Sequence, residues 1–151
     1  MRILAAFSCL VLSACGGVPG LDLPALPGLA PPGRGPFIPR DELPVPPNVE
    51  RMMGPEDCRG STLAAISASL PDYPARAWDR GRQGWVVVRF HVYADGSVHR
   101  ARVHRAVPDG PFNRATERAV STWQFAPLDG VDVLNDCVVM FEFRAGEVHI
   151  R

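Results

Sequence analysis

The stretch "GWVVVRFHVYADGSVHRARVHRAV", residues 84–107, decides the fold. Two runs dense in valine and aromatic residues, "WVVVRFHVY" and "VHRARVHRAV", flank "ADGS", and such residues favour extended chain. Asp95-Gly96 predicts a two-residue type I′ turn, since glycine and aspartate tolerate the positive φ that both central positions require. Pairing outward from that turn sets Val92 opposite His99, Phe90 opposite Ala101 and Val88 opposite Val103. One face is then apolar, with Val86, Val88, Phe90, Val92, Ala101 and Val103. The other carries Arg89, His91, Arg100, Arg102 and His104, and sets Arg89 directly against Arg102. Like charges so placed repel unless an acid relieves them or an anion binds.

On the C-terminal side the period changes. Phe112, Ala115 or Thr116, and Ala119 recur at helical spacing and lead to Trp123, with Pro111 in the first turn. "CVVMFEF", residues 137–143, alternates again and reads as a third strand with Cys137, Val139, Phe141 and Phe143 inward. On the N-terminal side "GSTLAAISASL", residues 60–70, reads as a short helix capped by Ser61 and stopped by Pro71. Tyr73-Pro74 then opens a helical turn that Gly81 or Gly84 ends. The expectation is an α+β domain over residues 56–151, in the order α-β-β-α-β behind one extra N-terminal helix. A helix lies on one face of a three-stranded antiparallel sheet.

The start of the chain has another character. Ile3 to Leu12 is apolar but shorter than the ~20 residues that span a bilayer, and with Arg2 ahead of it the run fits a secretory signal over residues 1–14. Leu12-Ser13-Ala14-Cys15 resembles a bacterial lipobox, which implies a lipid on Cys15 as the first mature residue. Gly16 rather than aspartate follows, which favours the outer membrane. Cys58 and Cys137 remain, and in an oxidising compartment such a pair forms a disulfide, with two buried thiols as the alternative. From Gly16 to Asn48 lie ten of the 16 prolines, so residues 15–55 read as an extended, polyproline-like linker, a plain tether or a docking segment.

Sixteen basic and 16 acidic residues balance, and no basic excess argues for nucleic acid. Serines and histidines are present, but no nucleophile and base share the local context of a hydrolase. The expected register keeps His91 and His104 apart on one face with His99 on the other, so no metal or cofactor site is expected.

"YPARA" (residues 73–77), Gly84, Asp95-Gly96 and "WQFAP" (residues 123–127) stand in this order over about half the chain. Together they resemble the C-terminal domain of TonB, the periplasmic partner of nutrient transporters in the Gram-negative outer membrane. Tyr73, Pro74, Ala77, Gly84, Asp95, Gly96, Trp123, Phe125 and Pro127 are then structural positions. The family grips a receptor segment, the TonB box, by adding it as a strand to its sheet. The resemblance places that edge on the last expected strand: Val138, Val139, Met140, Phe141, Glu142, Phe143 and Arg144. Its outward Val138, Met140 and Glu142 would tune the partner. Just before the Tyr-Pro pair, where the family also meets its receptor, stand Leu70 and Asp72. The family couples to its motor through a transmembrane helix, for which this sequence shows a lipobox instead. The expectation is a periplasm-facing, lipid-anchored envelope protein that binds an outer-membrane receptor or another envelope protein. The alternative is a structural lipoprotein that uses the same fold to dimerise or assemble.

Overall fold

Residues 34–151 are described by a computed structural model. A 3-10 turn (Glu50–Met52) is followed by β1 (Ala65–Ser67), α1 (Ala75–Asp79), β2 (Gly84–Tyr93), β3 (Val98–Val107) and α2 (Asn113–Ser121). Then come β4 (Gln124–Phe125), β5 (Val133–Arg144) and β6 (Glu147–Ile150). The main sheet is antiparallel in the order β3-β2-β5-β6, and β1 pairs with β4 in a separate ribbon. The architecture is α+β, as expected, with four strands in the main sheet where three were expected and the two-stranded ribbon besides.

The apolar face of the hairpin is the core. Val86, Val88, Phe90 and Val92 are at most 3% exposed. α2 covers them at helical spacing through Thr116, Ala119 and Val120, with Phe112 just ahead of it. The helix expected at residues 60–70 does not form. Only Leu63 of this stretch packs against the core, so a helix there would have no apolar face to bury. The backbone is satisfied by pairing instead: Ala65 lies opposite Phe125, and Ala126 donates to the Ala64 carbonyl at 2.8 Å. Ser61, expected as a cap, accepts from the Asp129 amide.

The turn at residues 94–96 is a three-residue loop, not type I′. Gly96 has φ +79°, Asp95 is not in the left-handed region, and Gly96 donates to the Tyr93 carbonyl. The loop is held from outside, because Phe125 donates to the Gly96 carbonyl at 2.9 Å. A Cβ on Gly96 would lie 2.0 Å from the Phe125 oxygen. The longer loop shifts the pairing to Val92–Val98 and His91–His99. A bulge, with Arg100 at φ +52°, then restores the expected Arg89–Arg102 and Val88–Val103 pairs. The type I′ turn falls elsewhere, at Ala145-Gly146 (φ +51° and +87°), where it joins β5 to β6.

α1 is closed just past its cap by Gly81, the first of the two glycines expected to end it. Gly81 donates to the Trp78 carbonyl and Arg82 to that of Ala77, with Gly81 at φ +60°, the bonding of a Schellman motif. Cys58 and Cys137 form a disulfide across 79 residues.

The part of the expected linker within the described residues is a strap: Phe37 packs against the core at Tyr73 and Trp78, and Val49 and Met52 lie on the back of the sheet. An extended proline-rich segment has no ladder of its own to satisfy its carbonyls, and the domain supplies donors. Trp78 Nε1 donates to the Gly35 carbonyl at 3.2 Å, and Gln83 Nε2 to that of Asp41 at 2.8 Å. Trp85 Nε1 reaches Val45 at 3.1 Å and Arg89 Nη2 reaches Met52 at 2.7 Å. Val49 and Met52 pack on Trp85, Val87 and Met140, a second small apolar cluster. Residues 1–33, with the signal segment, Cys15 and the first half of the expected linker, lie outside the described residues.

Candidate strand-binding edge

Strand addition needs an edge whose backbone groups lack partners, and the sheet has two edges. The β3 edge is occupied at one amide. α2 lies against it, and Glu117 Oε1 accepts from the Val103 amide at 2.8 Å. The other edge is the hairpin of β5 and β6.

All seven residues expected to bind a partner lie in β5. On the inner side they pair with β2, from Val138 opposite Arg89 to Phe143 opposite Gly84. On the outer side the expectation of a bare edge does not hold. Phe141, Glu142, Phe143 and Arg144 pair with Ile150, His149, Val148 and Glu147, and Met140 exchanges both backbone hydrogen bonds with Arg151. Only Val138 and Val139 of the seven lie beyond this cover. The signal for β6 was in the sequence: "RAGEVHI" places Ala-Gly between two alternating runs, a hairpin pattern.

The side chains expected to face outward are also covered. Met140 and Glu142 are each 2% exposed, and Val138 packs against the back cluster, because the strap crosses that face. Glu142 holds two cations. Arg151 Nε lies 3.2 Å from one carboxylate oxygen and Arg144 Nη1 lies 3.9 Å from the other.

The cover is slight. β6 is four residues long, its Glu147, His149 and Ile150 are exposed, and Val148 is half-buried against Phe143. Val148 and Ile150 present their side chains on the core face, opposite Phe143 and Phe141.

The structural positions of the motif residues meet in two clusters. Tyr73 stands among the rings of Phe37, Trp78, Phe112 and Phe143, all within 5.7 Å centroid to centroid, and its hydroxyl donates to the Arg82 carbonyl. Burial pushes the Tyr73 phenol above its ordinary value of 10.0. Pro74 precedes α1, Ala77 is buried within it and Gly84 opens β2. The second cluster joins Asp95-Gly96 to "WQFAP". Gln124 Nε2 donates to the Asp95 carbonyl, Trp123 Nε1 to that of Ser69, and Trp123 and Phe125 flank Phe90. Pro127 is exposed and follows the last pairing of the small ribbon. Two hydrogen bonds from Ser97 hold the Asp95 carboxyl below its ordinary range.

Leu70 and Asp72 line a groove of about 520 Å³ between the Tyr-Pro segment and α2, with Arg114 and Arg118 on its far wall. The register correction brings His91 and His99 opposite each other on one face, where they had been expected on two. His91 Nδ1 accepts from the Asp136 amide, and His99 stacks on Tyr93. Among the described residues no group of three His, Cys, Asp or Glu is placed to hold a metal ion.

Residues 69–145, 77 of the 151, match the profile of the Gram-negative bacterial TonB protein C-terminal, and the chain belongs to that family. It is 36% identical over 66 residues to the protein tonB2 of Pseudomonas aeruginosa, covering 44% of this chain and 24% of that one. To the TonB protein of Yersinia enterocolitica it is 29% identical over 92 residues, covering 61% and 33%. To TonB of Escherichia coli K12 it is 36% identical over 63 residues, covering 42% and 26%. The chain thus spans a quarter to a third of the length of these relatives. The solution NMR structure of the Pseudomonas aeruginosa TonB CTD aligns at 28% identity and a TM-score of 0.49, over 58% of this chain and 91% of that one.

Proposed function

We propose that this chain is a cell-envelope protein whose TonB C-terminal domain faces the periplasm and grips an extended segment of an outer-membrane transporter by strand addition. The domain acts by binding and carries no catalytic centre. Cys15 bears a lipid that anchors it, on the outer membrane, and residues 15–33 lead from the lipid to the strap. Val138 to Arg144 supply the backbone that the partner strand pairs with, once β6 has left the edge.

The observation that carries this reading is the β5–β6 hairpin itself. The longest strand of the sheet has the outer side of residues 140–144 covered by five residues, all but Val148 exposed, a cover that a competing strand can replace while the core stays in place. The ladder on the inner side, from Gly84–Phe143 to Tyr93–Val133, holds β5 ready.

NMR titration of the lipid-free chain, residues 16–151, with TonB-box peptides tests it. Binding should perturb the amides of residues 138–144 and release those of residues 147–150 from exchange protection. Perturbation confined to β3, or none in the folded chain, would defeat the reading.

A further inference from the structure

β6 holds the edge as an internal ligand, and its side chains show what the edge accepts. Val148 and Ile150 face the core side opposite Phe143 and Phe141. On the back side Arg151, opposite Met140 in the ladder, reaches diagonally to Glu142, with Nε 3.2 Å from Oε2. The Glu142 side chain is 3% exposed. The other cation near it, Arg144, is 60% exposed and more distant at 3.9 Å. Strand displacement therefore removes the nearer positive charge from a buried carboxylate. Burying a carboxylate without its partner is strongly unfavourable, so a strand lacking a cation at that place cannot replace β6 on equal terms.

Resting on the strand-addition reading, we propose that Glu142 is a specificity-determining residue of this edge. The partner it selects is an extended segment with two apolar residues at alternate positions toward the core and a lysine or arginine on the opposite face, within reach of Glu142. Backbone pairing is indifferent to side chains, and the two apolar positions accept any residue of suitable size. Arg144, opposite Glu147, is exposed, so Glu142 supplies the buried charge-selective contact, and it acts by penalising neutral and acidic strands.

The probe is the sequence of β6 itself, a capped Glu-Val-His-Ile-Arg peptide, titrated into the chain ended at Gly146 and into the intact chain, where it competes with β6. We expect the peptide carrying Arg151→Ala to bind at least tenfold more weakly, and the one carrying Arg151→Glu more weakly still. Glu142→Gln in the protein should bring the arginine and alanine peptides to within threefold of each other. Should the shortened chain be too unstable to titrate, the same ranking is expected as competition constants in the intact chain. Equal affinity for the arginine and alanine peptides would overturn the role of Glu142 and leave strand addition standing. Failure of every peptide to bind either form of the folded protein would overturn both.

Discussion

The guanidinium of Arg89 lies 3.2 Å from the Asp57 carboxylate, tying the middle of β2 to the residue just before the disulfide. Asp136 stands 3.8 Å from Arg89 and 3.5 Å from Arg102, so two carboxylates relieve the like-charged cross-strand pair. Asp57 also accepts from the Gly54 amide. Asp57→Asn keeps the shape and removes the charge, and since both partners retain partial solvent contact the loss should be about 1–2 kcal/mol. Urea unfolding of the oxidised protein measures it. An unchanged midpoint would mean that Asp136 suffices alone.

The Cys58–Cys137 bond closes a loop of 79 residues, for which chain entropy gives about 4.5 kcal/mol of stabilisation. Cys58→Ala with Cys137→Ala should lower stability by no more than that amount. It should also free the strap before the sheet, read as amide exchange rising first at residues 50–58. Simultaneous loss throughout would show that the strap and the sheet unfold as one unit.

Ala145 sits at φ +51° in the turn between β5 and β6, a region that costs a residue with a Cβ roughly 1 kcal/mol or more. Asparagine tolerates it better, and the exposed position leaves room for the side chain. Ala145→Asn should raise stability by about 0.5–1 kcal/mol, seen as a higher thermal midpoint. If β6 must leave before a partner binds, the same change should weaken peptide affinity about two- to fivefold. A more stable protein with unchanged affinity would place the partner elsewhere.

The buried Tyr73 phenol, raised above 10.0 in the folded chain, sets an alkaline limit. Below pH 10 both folded and unfolded chains hold the proton, and its contribution is fully present. As pH rises from 10 toward the higher folded value, the unfolded chain releases the proton first, so stability falls. Tyr73→Phe removes this slope while losing the hydrogen bond to Arg82, and stability measured from pH 8 to pH 11 should separate the two effects. Persistence of the slope in the variant would assign it to another group.

The parts of the fold readable from sequence were those whose signal is local and periodic. Val86, Val88, Phe90 and Val92 alternate because every second residue of a strand faces the core, and Phe112, Thr116 and Ala119 recur because a helix turns every 3.6 residues. The misreadings came where distant pairing decided. The loop at Asp95-Gly96 took three residues because Phe125 hydrogen-bonds to it, and residues 60–70 extended because the chain at residues 124–126 needed a partner. At the candidate edge the seven residues of β5 were legible and the β6 hairpin had a local signal, but the strap across their back face had none. Proline-rich composition says that a segment is extended, not that Trp78, Gln83, Trp85 and Arg89 lie waiting for its carbonyls. Arg89 and Trp85 signalled this only by being donors on the face opposite the core.

The strap also determines how the domain would bear a load. Tension applied at residue 34 would meet the donors of Trp78, Gln83, Trp85 and Arg89 one after another along the segment, so they would detach in turn rather than share the force. The strap holds about 75 Å of chain at ~3.3 Å per residue, and it would lengthen by peeling until Cys58 brought it to a covalent stop. From there the force would pass through the sulfur bridge into Cys137, next to Val138, on the strand proposed to hold the partner. Slack would be taken up first along the strap, and only then would the pull arrive at the grip.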